Sequence, residues 1–346
     1  MLQIEQLILF LFYKMNGLRK RNAPYYILTG KKSGQTIQDV NFYGLHRFFY
    51  LFSKKELAHY DEWIQQLLMK GWLIEDEEGW VKVNVNPTTF MSIEKRDWNG
   101  WQYERFEQVY FARLSLAIQT LSYRHEQIKQ FDPIVPDLAV QQFISTWHRQ
   151  HSLYDEKIVS HLQQELTDLL KAEEQKNAYF PIIFVERLTN RQFTGKTYEQ
   201  LAERLKLNAF DVRLIGVEGM HRLLDKLFQQ PTHYPILHSF TQGFQKKSRT
   251  VFLTKTAERT YELFQQHYTL QQIAEKRRLK ISTIQDHFIE IAYTIDNFPY
   301  EQFIDSTLLQ QVRKQLVEQG SRSLKQLKEQ YDMLSYFQIR LILTSL

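Results

Sequence analysis

The sequence predicts a mainly α, multidomain protein, and three observations carry that expectation. Apolar residues recur at helical spacing along most of the 346 residues, 12 Gly and 8 Pro leave few turn formers, and only one short stretch alternates as a half-buried strand does. A composition of 43% hydrophobic and 24% charged residues excludes bulk disorder and fibrous or low-complexity classes, and gives enough apolar side chains for more than one core. Forty-four Lys and Arg against 39 Asp and Glu leave a net charge of +5, which permits a polyanionic partner without demanding one. The absence of Cys excludes disulfide frameworks, Cys-based zinc sites, Fe–S clusters and a Cys nucleophile. No apolar run reaches the roughly 18 residues of a membrane span. The apolar segment Gln6 to Met15 is preceded by Glu5 rather than a basic residue and interrupted by Lys14, unlike a signal peptide. The expectation is a cytoplasmic protein without a membrane partner.

The first helix is expected from Leu2 to about Asn16, where Ile4, Leu7, Ile8, Leu11 and Phe12 share a face and Gly17 ends the run. Arg19, Lys20, Arg21, Lys31 and Lys32 follow, with Lys14, in nineteen acid-free residues, and form a candidate secondary basic contact. Helical signals at Thr36–Val40, Leu45–Leu51 and Ser53–Lys70 lead into Gly71-Trp72-Leu73-Ile74 and the alternating Trp80 to Val85. Helices followed by a two-stranded element suggest a winged-helix-like module over 1–95. Its wing tip, Glu75 to Glu78, repels phosphates and is expected to meet protein rather than DNA.

Asn86-Pro87 and the Trp98-Asn99-Gly100-Trp101 turn open a helical middle domain, 96–180, with one helix over Tyr103–Gln130, breaks at Pro133 and Pro136, and a helix over Asp137–Asn177 bent near His151 and Ser152. Pro181 restarts the chain into a third helical segment, 181–240. Pro231 and Pro235 close it, and Gln242 to Ser248 connect it to a last domain, 241–346.

The function-bearing signal is a repeated helix-turn-helix pattern: a small residue at the helix crossing, a tight turn, and a polar cap on the second helix. In the best copy, Thr269 to Phe288, Thr269 caps the first helix, Ile273 and Ala274 sit at the crossing, Leu279 and Ile281 plug the turn, and Ser282 caps the second helix. Ile284 and Phe288 hold that helix down, leaving Thr283, Gln285, Asp286 and His287 outward. Lys276, Arg277, Arg278 and Lys280 flank the turn, where backbone phosphates pass. The candidate nucleic-acid-binding set is therefore Lys276, Arg277, Arg278, Lys280, Ser282, Thr283, Gln285 and His287. A second copy, Thr197 to Arg213, has Ala202 at the crossing, Asn208 as cap and balanced charge, which suits an architectural role. A weaker third runs from Ser323 through Leu327, Tyr331 and Ser335 to Leu341. The tetrapeptide Thr-Ile-Gln-Asp at Thr36 and again at Thr283 is read as helix-start chemistry.

Ile182 to Val185 followed by Thr194-Gly195-Lys196-Thr197 imitates a phosphate-binding loop but has Asn190 where the first glycine belongs. His148 with His151, and His161 with Glu165, have ligand-like spacing that eleven histidines produce by chance. No nucleophile elbow or segregated carboxylate pair stands out, so no enzyme, cofactor or metal is expected.

The segment Lys255 to Leu279, with Ser282-Thr283-Ile284, His287-Phe288 and the tail Lys325 to Leu341, resembles the helix-turn-helix domain at the C-terminus of RecQ-type DNA helicases. Tyr26 to Asp39 resembles the start of the YpbB-like family, helicase-less proteins of Gram-positive bacteria. The resemblance implies DNA and a RecQ-like helicase as partners, in repair and recombination. No helicase motor is present, so unwinding would belong to the partner. Two other classes remain open on the residues: a transcription regulator reading bases through Gln285 and His287, and a pure protein adaptor whose helix-turn-helix units are architectural.

Overall fold

The computed structural model describes residues 3–128, 130–150, 156–244, 253–295, 297–319 and 324–346. The bend expected near His151 and Ser152, most of the Gln242–Ser248 connector and the start of the third copy at Ser323 lie outside them. Among the described residues there are 18 α-helices and one two-stranded sheet, the mainly α class that the periodicity predicts.

In chain order the elements begin with α1 (Gln3–Met15), α2 (Ala23–Leu28) and α3 (Gly34–Phe42), α4 (Tyr60–Met69), then β1 (Leu73–Glu75) and β2 (Val81–Val83). They continue with α5 (Gly100–Tyr103), α6 (Phe106–His125), α7 (Leu138–Gln150), α8 (Glu156–Glu174), α9 (Tyr179–Glu186), α10 (Tyr198–Leu205), α11 (Ala209–Gln229) and α12 (Pro235–Ser239). The last six are α13 (Lys255–Gln265), α14 (Leu270–Arg277), α15 (Ile281–Thr294), α16 (Ser306–Gln319), α17 (Leu324–Gln330) and α18 (Tyr336–Thr344).

Several boundaries differ from the periodicity for local reasons. The helix expected at Leu45–Leu51 is a single 3-10 turn, His46–Phe48, between left-handed Gly44 and Tyr50. The expected Ser53–Lys70 helix forms only from Tyr60. The single helix expected over Tyr103–Gln130 is two, because Glu104 and Arg105 are both left-handed. Pro181 lies in the first turn of α9, where its missing N–H would have no partner anyway. The helix α2, begun by Pro24, has no counterpart in the expected set.

The chain divides into two compact units: the described residues of Met1–Phe10, Gln65–Met69 and Val85–Lys246, and those of Leu11–Ile64, Lys70–Asn84 and Lys247–Leu346. The sheet and the helices α2 and α3 thus share a unit with the C-terminal helices.

The first unit is organised around α11, which packs on α6, α8, α9, α10 and α12. Val212, Leu223, Leu224 and Leu227 are fully enclosed there with Tyr110, Leu169 and Phe240. Gly219 admits the Phe180 ring, which would overlap any Cβ at that position. This interior also holds charge. Arg222 pairs with Glu173 at 2.7 Å and lies 3.4 Å from Glu218, and Glu218 in turn pairs with Arg96 at 3.2 Å and accepts from the Asp97 N–H. Enclosed Glu107 faces His221 and Arg213 at 3.7 and 3.6 Å. Burial pushes its pKa up, but its interactions with His221 and then the charges of Arg213 and Arg105 outweigh that and hold it below the usual carboxylate range. Glu165, half of the ligand-like pair with His161, accepts from the Ile236 and Leu237 N–H groups and so caps α12.

The P-loop-like segment is accounted for as well. Ile182 to Val185 are helical within α9, Lys196 pairs with Glu186 at 2.7 Å, and Gly195 lies so close to the Arg187 carbonyl oxygen that a Cβ would collide with it.

In the second unit β1 and β2 pair antiparallel, Leu73 opposite Val83 and Glu75 opposite Val81. At the connecting turn Asp76 accepts from the Glu78 and Trp80 N–H groups at 3.0 and 2.8 Å, while Gly79 takes a positive φ. The acidic tip is therefore partly turn chemistry.

Candidate nucleic-acid interface

Local sequence builds the helix-turn-helix as expected up to its turn. Thr269 accepts from the Gln272 N–H while the Gln272 side chain accepts from Thr269, a capping box that starts α14. Ile273 and Ala274 are buried at the crossing. Arg278 takes the left-handed conformation that ends α14, and the Leu279 N–H closes the turn on the Ala274 carbonyl at 3.0 Å. The second copy repeats each device. Thr197 and Gln200 form a capping box, Lys206 is left-handed, the Leu207 N–H reaches the Ala202 carbonyl at 3.0 Å, and Asn208 caps α11. Its second helix is the enclosed centre of the first unit, with Arg213 buried and Asp211 accepting from the Gln3 N–H, which fits the architectural reading. In the third copy Ser335 and Gln338 make another capping box at the start of α18.

Past the turn of the best copy the structure corrects three expectations. The second helix, α15, begins two residues early, so Lys280 and not Ser282 occupies the cap position, without a side-chain cap bond. Ile281 is exposed rather than plugging the turn; Leu279 alone packs inward. His287 points inward and is 6% exposed. It occupies the Ile284–Phe288–Ile291 side of α15, where a polar ring is tolerated because Thr260 Oγ1 lies 2.8 Å from Nδ1. Burial, then the adjacent Arg277 charge, push its pKa down to about 4 against a weaker pull from Asp286, so the ring is neutral at physiological pH.

The face of α15 expected to be outward is also occupied. α3 packs along it, with Gly34 close to the Asp286 side chain, and Arg340 from α18 pairs with Asp286 at 2.7 Å and donates to Gln38 at 3.1 Å. The two Thr-Ile-Gln-Asp tetrapeptides each begin at the third residue of their helix, as helix-start chemistry requires, and these two helices lie against one another. Ser282 is exposed at the free end of α15, and Thr283 and Gln285 are half-buried.

The basic turn remains open. Lys276, Arg278 and Lys280 are exposed, Lys276 over the Tyr268 ring at 4.5 Å. Arg277 is half-buried: one terminal nitrogen donates to the Thr256 carbonyl at 2.6 Å and to Thr260 Oγ1, and the other to Thr256 Oγ1 at 2.9 Å. Burial, then the charge of Arg259, pull its pKa below the usual guanidinium value. Arg259 is exposed on α13 and lies outside the expected set; its signal is its place one helical turn beyond Thr256. Among the described residues, Arg259, Lys276, Arg277, Arg278 and Lys280 make no ion pair with a carboxylate.

The secondary basic set differs. Arg19 pairs with buried Asp39 at 2.5 Å and Arg21 forms a two-pronged bond with Glu75, so the expected basic stretch is in part neutralised, and by a residue of the acidic tip itself. Both arginines are thus held by carboxylates, Arg19 mostly buried and Arg21 with its side chain still 39% exposed. Lys20 lies over Trp80 at 5.7 Å and Lys31 over Tyr26 at 3.7 Å; Lys31 and Lys32 are exposed.

Among the described residues no group of three or more His, Asp or Glu could hold a metal, and no helix is long and apolar enough to cross a membrane. No solved structure matches the chain. Protein YpbB of Bacillus subtilis (strain 168) is 27% identical over 339 residues, an alignment covering 96% of this chain and 94% of that protein. The chain is thus similar to YpbB over nearly its whole length, and its residues 256–343, which contain the basic turn, match the family described as Helix-turn-helix domain.

Proposed function

We propose that this protein is a non-enzymatic DNA-binding accessory that recruits or anchors a RecQ-like helicase on DNA during repair and recombination, in the cytoplasm. The observation that carries the DNA half of this reading is the set of cations around the α14–α15 turn that, among the described residues, have no carboxylate of their own, whereas Arg19, Arg21, Arg222 and Arg340 each have one. Cations left unpaired beside the exposed end of α15 suit backbone phosphate, which brings the missing negative charge. The helicase half rests on the resemblance of the N- and C-terminal segments alone.

The occupied outward face of α15 favours sequence-independent binding over a transcription regulator, since His287 is enclosed and Asp286 is engaged by Arg340. Replacing Arg278 and Lys280 with Ala should weaken binding across unrelated duplexes and flatten its salt dependence. A mobility-shift titration at several salt concentrations tests this; unchanged affinity would reject the DNA-binding reading. Selection from random duplexes should return no preferred operator, and pull-down with a RecQ-like helicase should recover a complex.

A further inference from the structure

We propose that Arg259 and Arg277 together clamp one backbone phosphate of duplex DNA, on the face that α13 and α14 share. The inference rests on the DNA-binding reading and moves the principal contact from the groove side of α15 to the outer side of the preceding two helices.

Arg277 is pre-positioned. Its bonds to Thr256 and Thr260 fix the guanidinium against α13 and use the first terminal nitrogen fully. Nε and one hydrogen of the second terminal nitrogen have no acceptor among the described residues. A guanidinium held by neutral oxygens keeps its full charge, and its spare edge matches the spacing of two phosphate oxygens. Because Arg277 is immobilised before any ligand arrives, little rotamer entropy remains to be lost on binding.

Arg259 stands beside it. Arg259 and Thr260 each lie one turn beyond Thr256 on α13, so the two threonines that hold Arg277 bring its charge within range of that of Arg259. Glu262 lies three residues beyond Arg259, yet no ion pair forms between them. His287, beneath the pair, is bonded to Thr260 and carries no charge at neutral pH, so it offers no compensation. Two neighbouring guanidinium groups without a carboxylate repel each other, and a shared phosphate converts that repulsion into two charge-assisted contacts.

The clamp reads charge and not base edges, which agrees with the engagement of α15 by α3 and α18. It also gives Thr256 and Thr260 a role that packing alone does not require, as the posts that orient Arg277.

The test uses the full chain and a fluorescently labelled duplex of arbitrary sequence, followed by anisotropy between 50 and 200 mM salt. Arg259 is exposed, so Arg259→Ala leaves the core intact, and thermal unfolding confirms this. Each lost phosphate contact lowers the log–log salt slope by about 0.9, so wild-type affinity should fall roughly 3.5-fold further than that of Arg259→Ala across this range. Arg259→Lys keeps the charge and should retain the wild-type slope with weaker binding. Arg149→Ala, at another exposed arginine that makes no ion pair among the described residues, serves as the comparator and should match wild type. Wild-type binding with Arg259→Ala indistinguishable from Arg149→Ala would overturn the clamp while leaving DNA binding intact. Failure of the wild-type chain to bind the duplex would overturn both.

Discussion

Arg277 grips Thr256 twice, through the carbonyl at 2.6 Å and the hydroxyl at 2.9 Å, and so ties the end of α14 to the first turn of α13. A lysine offers a point charge without the planar fork and cannot span both oxygens. Arg277→Lys is therefore expected to lower stability by about 1 kcal/mol, allowing for its partial exposure, whereas Arg278→Lys, at an exposed site, should change it by less than about 0.5 kcal/mol. Urea unfolding of the two variants checks the contrast, and equal midpoints would show that the grip contributes nothing.

His287 gives the C-terminal domain an acid sensitivity. Its folded pKa of about 4 lies below the ordinary 6.5, so the unfolded chain takes up the proton first as the pH falls. Stability from the neutral ring is complete above about pH 6.5 and is lost progressively between 6.5 and 4. Glu290, pushed up by burial, works in the opposite sense and is common to any pair of variants compared. His287→Gln keeps an acceptor for Thr260 and removes the titration. Across that window wild type should lose more of its urea midpoint than His287→Gln; parallel curves would remove His287 as the cause.

The Arg222–Glu173 pair is enclosed, with Glu218 also within reach of the guanidinium. Removing the cation alone takes the nearest positive charge from buried Glu173 and one of two from buried Glu218, at a cost of about 3–5 kcal/mol for Arg222→Ala. The double variant Arg222→Met, Glu173→Leu removes both charges of the pair and should recover much of that loss. A double variant no more stable than Arg222→Ala in calorimetry would show that the cost arises elsewhere.

Gly195 is needed for proximity and not for phosphate binding. A Cβ there collides with the Arg187 carbonyl oxygen, and main chain cannot yield as a side-chain tip can. Gly195→Ala should destabilise the first unit by about 1–3 kcal/mol. Thermal unfolding provides the measurement, and a variant as stable as wild type would mean the loop shifts without cost.

Much of the candidate site is legible in the residues. Thr269 with Gln272, Thr197 with Gln200 and Ser335 with Gln338 are local signals, and each makes its capping box because the partners lie three residues apart. The small crossing residues Ala202 and Ala274 are likewise where the pattern places them. His287 is misread because polarity alone assigns it outward, while Thr260, 27 residues away in sequence, supplies the bond that lets it turn in. Arg259 is overlooked because its importance lies in which side chain is beside it, and Arg277 reaches that place only through tertiary packing.

By itself the sequence determined the helical class, the two short strands, the repeated helix-turn-helix pattern and the basic residues of its turn, since all of these depend on interactions within a few positions of the chain. Only the tertiary structure decided which charges remain unpaired. Arg19 and Arg21 are met by Asp39 and Glu75, up to 54 residues away, and Asp286 by Arg340, also 54 residues away, while Arg259, Arg277 and Arg278 find no carboxylate among the described residues. The same packing closed α3 and α18 over α15, because Coulomb attraction and burial act through space, and the net charge of +5 carries no record of where its opposite charges meet.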